Sequence, residues 1–184
     1  AGGRLRLVCG ARITGLDVAA GTVAGATATD EATGAELRFV APVVVLAMGG
    51  INGGHEEVRR NWPADRPMPA KMLNGAHPFA DGRLHRLVAG LGGCIDAAGE
   101  MWNYAAGLPD PAPPFEGHGL STIPCKSALW LDHGGRRIGP EPLITGFDTR
   151  DLCRRVAEQA KPWTWHLLNR RIALKELAIS GAEH

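Results

Sequence analysis

The chain has 184 residues, 45% hydrophobic and 21% charged, with a formal net charge of +1. That length buries one core or holds parts of two domains. So even a charge balance removes the electrostatic case for a nucleic-acid partner or an acidic membrane surface, and no apolar run approaches the roughly 20 residues of a membrane span.

The sequence starts at Ala1 with no initiator Met and no signal peptide, and it stops at His184 without a recognisable cap. It therefore reads as a segment of a longer protein. Cys9, Cys94, Cys125 and Cys153 show no C-x-x-C or C-x-x-H spacing, which excludes the usual zinc and redox-pair motifs. They read as free thiols of a reduced, cytoplasmic protein. The seven histidines are scattered, with no H-x-x-x-H pair, so no metal is expected.

Residues 4–45 read as a β-meander. Arg4 to Val8 alternates polar and apolar side chains, as a half-buried strand does. Ala11 to Val18 and Thr22 to Thr29 are further strands across an Ala19-Ala20-Gly21 turn, and Glu36 to Val40 follows the polar turn Asp30 to Gly34. Ala41-Pro42 breaks the pairing, since proline has no N–H for a ladder. Val43-Val44-Val45-Leu46-Ala47 then reads as a strand buried on both faces, of the parallel-sheet kind, running into Met48-Gly49-Gly50 and Gly53-Gly54. Glycines at such a strand end admit a cofactor close to the backbone, or they only make a tight turn.

His55 to Trp62 predicts a short helix stopped by Pro63, and Ala64 to Pro78 a proline-rich ordered loop. Leu84, Leu87, Val88 and Leu91 share one helical face, with Asp81 as N-cap and Gly92-Gly93 as the stop. Gly99 to Ser121 is aromatic and proline-rich and reads as a long irregular loop, a kind often functional. Ser127 to Leu131 is a strand, Asp132 to Gly135 a hairpin turn, and Arg136 to Ile138 the start of the returning strand. Asp148 to Ala160 predicts a helix with Leu152, Val156 and Ala160 on one face and Asp148 or Thr149 at its cap, and Thr164 to Ile179 a second helix.

In this order, the meander, Val-Val-Leu-Ala-x-Gly-Gly, Asp81-Gly82, the helix ending in Gly-Gly and the Gly-Arg-Arg hairpin with Glu141 resemble the succinate dehydrogenase/fumarate reductase flavoprotein superfamily. Asn61-Trp62-Pro63, Asp81-Gly82-Arg83, Met101-Trp102-x-Tyr104 and Gly146-Phe147-Asp148-Thr149 are similar to its FAD-binding dehydrogenases related to 3-ketosteroid Δ1-dehydrogenases. Lys175-Glu176 and Ser180-Gly181-x-Glu183 resemble that branch too. The resemblance implies an α+β chain cut from an α/β parent. Residues 1–62 would belong to the FAD-binding domain, contributing its meander, buried strand and glycine turn. Residues 63–184 would belong to the substrate-capping domain. It also implies FAD as cofactor in the parent, a small apolar ketone as substrate, a separate electron acceptor, and desaturation of a C–C bond beside the ketone. No Gly-x-Gly-x-x-Gly opens a helix here, so this chain alone is expected not to hold FAD.

Residue by residue, the resemblance sets Ala47, Met48, Gly49, Gly50 and Asp81 against the cofactor. Met48 stands where the family has Thr or Ser, and Ala80 replaces a glycine. Asp81 serves equally as a plain helix cap. Tyr104, the only tyrosine, falls where the fumarate reductase branch has its substrate-binding His; a phenol there can polarise a ketone, and a rim aromatic is the plain alternative. Trp102 and Phe115 would line an apolar pocket, with core packing the alternative for Trp102. His118 is of a type that exchanges protons near neutral pH, or it is a solvated loop side chain. Arg150 lies near the place of the fumarate reductases' proton-donating Arg, or it is an exposed helix-start residue. Those reductases' relay Glu and Arg match Ser121 and Pro124 here, which points away from fumarate and toward an apolar ketone. Arg136 and Arg137 with Glu141 read as a structural ion pair. The competing reading of the whole is a non-catalytic α+β small-molecule binding or interaction domain. Oligomeric state is not legible.

Overall fold

The structure is a computed structural model that describes residues 5–123, 125, 127–139 and 149–180. The chain divides into two compact units, Ala1–Gly49 with Arg83–Asp96, and Gly50–Gly82 with Ala97–His184. It mixes helix and strand, and its sheets are small and antiparallel.

In the first unit, β1 (Ala11–Ala19), β2 (Thr22–Asp30) and β3 (Glu36–Val40) form a sheet in the order β1-β2-β3. The first turn works because Ala20 and Gly21 both take positive φ, 50° and 76°, the geometry that matches strand twist in a two-residue hairpin. The second is tied by Asp30, whose Oδ1 accepts from the Ala32 and Thr33 amides at 3.0 and 2.8 Å. These bonds hold the Asp30 carboxyl below its ordinary range. The small residues Ala26 and Ala28 of β2 are the buried ones. Helix α2 (Arg83–Gly90) packs on β1. It ends as expected: Gly92 is left-handed at φ 87°, and the Gly93 amide bonds the Val88 carbonyl at 2.9 Å. Asp81 lies two positions before its first residue.

Two expected strands do not form. Residues 5–8 are irregular, with Leu5 and Leu7 exposed, and the meander begins at Ala11. Residues 43–46 are no buried strand either: Val43 is 73% and Val45 84% exposed. The composition is strand-like, but a strand needs neighbours for its N–H and C=O groups, and no described residue pairs with this stretch.

In the second unit, α1 (His55–Arg60) carries Glu56 and Glu57 in its first turn and Arg59 and Arg60 in its last, the charge order that suits a helix dipole. Glu57 is buried and satisfied by Arg60 Nη1 at 2.7 Å and Asn61 Nδ2 at 3.1 Å. The segment 99–121 is more regular than expected. It contains β4 (Gly107–Pro109), and β5 (Gly119–Ile123) starts within it. Both pair in a sheet with β8 (Ala178–Ser180), in the order β4-β5-β8. Strand β6 (Leu129–Leu131) pairs with β7 (Trp165–Leu167), while residues 136–138 return beside it with only short bonds, such as the Ile138 amide to the Trp130 carbonyl at 3.0 Å. Asp132 shapes that turn by accepting from the Gly134 and Arg136 amides, both at 2.8 Å. Helix α3 (Thr149–Ala157) lays Leu152 and Val156 on Trp130 and Ile138, which form the core with Ala105 and Ala106.

The expected long helix over 164–179 is corrected to β7, then α4 (Arg170–Lys175), then β8. Asn169 caps α4 by accepting from the Ile172 amide at 2.9 Å, and cross-strand pairing claims the apolar residues on both sides. Glu141 and the stretch Gly146-Phe147-Asp148 lie outside the described residues. No helix among the described residues is long and apolar enough to cross a membrane.

Candidate functional site

The chain passes from one unit to the other at Gly49/Gly50, inside the glycine turn. Ala47, Gly49 and Gly50 are exposed and Met48 is half-buried. Gly49 has φ 77°, which favours glycine there, and a Cβ placed on Gly49 or Gly50 would have no described atom within 4 Å. The second glycine pair behaves differently. A Cβ on Gly53 would collide with the His77 carbonyl, and the Gly53 amide bonds the Ala80 carbonyl at 2.8 Å. Gly53 therefore serves the packing of residues 77–80. Gly82, just after Asp81, has φ 72°, and a Cβ there would sit 2.7 Å from Cγ of Glu57.

Residues 101–104 of the second unit have no regular secondary structure and alternate between half-buried and exposed. Trp102 and Tyr104 are 68% and 56% exposed, their rings 6.4 Å apart at 59°. The Trp102 carbonyl accepts from Asn52 Nδ2 at 3.3 Å. Trp102 is thus no core residue; it is a surface aromatic paired with the only tyrosine. Met101 and Asn103 instead line a pocket. Arg66, Arg150 and Arg154 supply its charge, and Trp62 and Pro67 its apolar side. Arg150 and Arg66 both lean on one carboxylate, Glu100: Arg150 through Oε2, and Arg66 loosely through Oε1 at 3.9 Å. Arg154 is held along its own helix by Asp151 at 2.6 Å and Glu158 at 2.8 Å. Its two bonds to Arg154 and Arg155 keep the Asp151 carboxyl below its usual range. Cys153 borders the same pocket with Sγ 3.5 Å from the Asn103 carbonyl, and burial pushes its thiol up to about 11 against a lowering pull from Arg66.

His118 is not a solvated loop residue. Its Nδ1 lies 2.7 Å from Oδ2 of Asp110, with the two side chains only 12% and 13% exposed. Phe115 meets the imidazole edge-on at 5.0 Å. Buried Asn74 pins the loop: its amide donates to the Gly117 carbonyl at 2.9 Å, its carbonyl accepts from the Gly119 amide at 3.0 Å, and its Nδ2 donates to the Gly53 carbonyl at 2.9 Å. The structure therefore brings together Trp102 with Tyr104, and Phe115 with His118. Among the described residues no hydrogen bond, ion pair or ring contact joins the one pair to the other, or either to Arg150. Asp110, Glu100 and Arg66 were not singled out from sequence. Asp110 stands eight residues before His118 in one loop, and no spacing rule connects them.

A family model described as FAD binding domain matches residues 3–184. The chain belongs to the FAD binding domain family, of the succinate dehydrogenase/fumarate reductase flavoprotein superfamily. Within this family it is 37% identical over 160 residues to the KsdD-like steroid dehydrogenase Rv0785 of Mycobacterium tuberculosis, covering 86% of this chain and 28% of that protein. It is 36% identical over 149 residues to the KsdD-like steroid dehydrogenase of Mycolicibacterium smegmatis, covering 80% of this chain and 27% of that protein. The chain thus spans little more than a quarter of the length of these relatives. No solved structure gives a significant match. FAD is the cofactor of the FAD binding domain family, and the Ala47–Gly50 turn fits it. The turn offers exposed backbone, small residues, and room at two glycines for a flat ring to lie close.

Proposed function

We propose that this chain is part of an FAD-dependent dehydrogenase that desaturates a C–C bond next to a ketone in a steroid-like substrate. The observation that carries this reading is the similarity over 86% of the chain to a steroid dehydrogenase. The exposed Trp102–Tyr104 pair supports it, because a ketone with a flat apolar body needs both an aromatic surface and a donor. In this reading the glycine turn of residues 1–62 lies on the flavin side, and residues 63–184 form part of the substrate cap.

Ala47, Met48, Gly49 and Gly50 would present backbone to the flavin, and Asp81 is the acidic residue that the family resemblance assigns to it. FAD, when bound, supplies the two-electron acceptor for the desaturation. Tyr104 donates from its phenol to the ketone oxygen. That bond strengthens as negative charge gathers on the oxygen while the α-hydrogen is removed. Trp102 and Phe115 shape the apolar site. Asp110 holds Nδ1 of His118, which leaves Nε2 as the nitrogen for proton exchange. Arg150, ion-paired with Glu100, stands near the place of the fumarate reductases' proton-donating Arg and is the candidate for that role.

The test is turnover of a 3-ketosteroid, with an artificial electron acceptor, by the native gene product that carries this sequence. Tyr104→Phe is expected to lower kcat by about a hundredfold with little change in fold. No turnover of any 3-ketosteroid by a flavin-loaded protein refutes the reading. Full activity of Tyr104→Phe removes the phenol from the chemistry.

A further inference from the structure

Asn74 joins two segments that the dehydrogenase reading uses separately: the chain leaving the glycine turn, and the loop that carries His118. The residue is buried, and each of its polar groups has a main-chain partner. Its own main chain clasps the loop, with N–H on the Gly117 carbonyl at 2.9 Å and C=O on the Gly119 amide at 3.0 Å. His118 lies between those two bonds and pairs with Asn74 in a single parallel bridge. The side chain reaches elsewhere. Nδ2 donates to the Gly53 carbonyl at 2.9 Å, and Oδ1 accepts from the Ala76 amide at 2.8 Å. Both partners are main-chain groups of fixed polarity, so only one orientation of the amide satisfies them.

Neither end has slack. Gly53 lies three positions past Gly50. Its N–H donates to the carbonyl of Ala80, the neighbour of Asp81, at 2.8 Å, and a Cβ on it would strike the His77 carbonyl. On the loop side, a Cβ on Gly119 would strike Leu73, and one on Gly107 would come within 3.3 Å of it. Strands β4 and β5 therefore lie tight against the residue before Asn74. Gly117 takes φ 79° in the turn that the His118 amide closes on the Phe115 carbonyl at 3.2 Å. Buried bonds between segments fitted this closely fix their separation, since breaking one leaves a polar group unpaired.

We infer that Asn74 is a positioning residue: its amide sets the spacing between the flavin-side segment at Gly53 and the His118 imidazole, without touching substrate. This role rests on the proposed dehydrogenase reading, in which His118 exchanges a proton through Nε2. A reacting group displaced by about 1 Å can lose about a hundredfold in rate, so a remote amide can matter to turnover.

A double-mutant cycle tests it in the native, flavin-loaded gene product, with a 3-ketosteroid and an artificial electron acceptor. Asn74→Asp is nearly isosteric. It keeps the acceptor for Ala76 but sets a carboxylate oxygen against the Gly53 carbonyl, so it breaks that one link. It is expected to lower kcat about tenfold with KM within about twofold. His118→Gln alone is expected to lower kcat by about tenfold or more. In the double variant the Asn74 change is expected to add less than about twofold, because the group it positions is gone. A merely structural Asn74 gives losses that multiply. Full kcat in either single variant, or multiplying losses in the double, overturns the inference and leaves the dehydrogenase reading standing. Asn74→Gln keeps both polar ends but moves them by one methylene, and it runs the same cycle should Asn74→Asp not fold. Failure of both to fold makes Asn74 a fold residue and overturns the inference too. No turnover by the unaltered protein refutes the dehydrogenase reading itself, and the positioning role with it.

Discussion

Asp110 works on two groups at once. One carboxylate oxygen holds His118 Nδ1 at 2.7 Å, and the other accepts from the Ala112 amide at 2.9 Å. Both partners are nearly buried, so the bonds form where water competes poorly. Asp110→Ala is expected to cost about 1.5–3 kcal/mol in urea unfolding, with Asp110→Asn losing less because it keeps the turn. A change below a few tenths of a kcal/mol would mean the pair is not formed. Cys153 gives a second test at this scale. Burial raises its thiol to about 11, so the thiolate is scarce at neutral pH. Disulfide-exchange labelling should modify exposed Cys9 and Cys94 well before Cys153. The sign for stability follows from the raised value. Thiol burial supports the fold below pH 9.0, and this support is lost as pH rises toward about 11. Candidates at single positions were legible because their chemistry is written in the residue type: one tyrosine, a loop histidine, a glycine pair. Their partners were not, since Asp110 meets His118 by loop closure, and Glu100 meets Arg150 from far along the chain.

Pairing decides at the scale of elements. Strand β6 was legible from Leu129-Trp130-Leu131, yet its main partner β7 was not, because 164–179 has residues that suit a helix as well as a strand. Cross-strand contact settles the matter: Trp130 and His166 stand opposite, their rings edge-on at 4.7 Å. Neither Trp130 Nε1 nor His166 Nε2 has a hydrogen-bond partner among the described residues. Burial lowers His166 from its ordinary 6.5, because the buried site disfavours the charged imidazolium. A depressed histidine supports the fold above pH 6.5, and that support is lost as pH falls through its folded value. The thermal midpoint should therefore drop on the acid side of 6.5. His166→Phe keeps the ring contact and should flatten that drop, which pH-dependent calorimetry checks. An identical acid profile in the variant would remove His166 as its cause.

Across the whole molecule, the chain belongs to an FAD-binding family yet contains no Gly-x-Gly-x-x-Gly loop to hold a pyrophosphate at a helix N-terminus. We expect the 184-residue chain, mixed with FAD and passed through gel filtration, to emerge without flavin absorbance. Retained stoichiometric FAD would show that the glycine turn and Asp81 suffice. Much of this organisation was decided locally and is readable in the residues. The meander follows from alternation and from turns at Ala20-Gly21 and Asp30–Gly34. Helix α1 follows from its charge order and Pro63, and the end of α2 from Gly92-Gly93. Backbone preference and side-chain period act within a few residues, so a linear reading captures them. Tertiary structure alone decided the rest. It left Val43 and Val45 in solvent, because a strand composition without a neighbour cannot satisfy its backbone. It split 164–179 among two strands and a short helix, and it placed Asp110 on His118 and Glu100 between two arginines. Each outcome depends on groups far apart in sequence meeting in space, and no local preference encodes such a meeting.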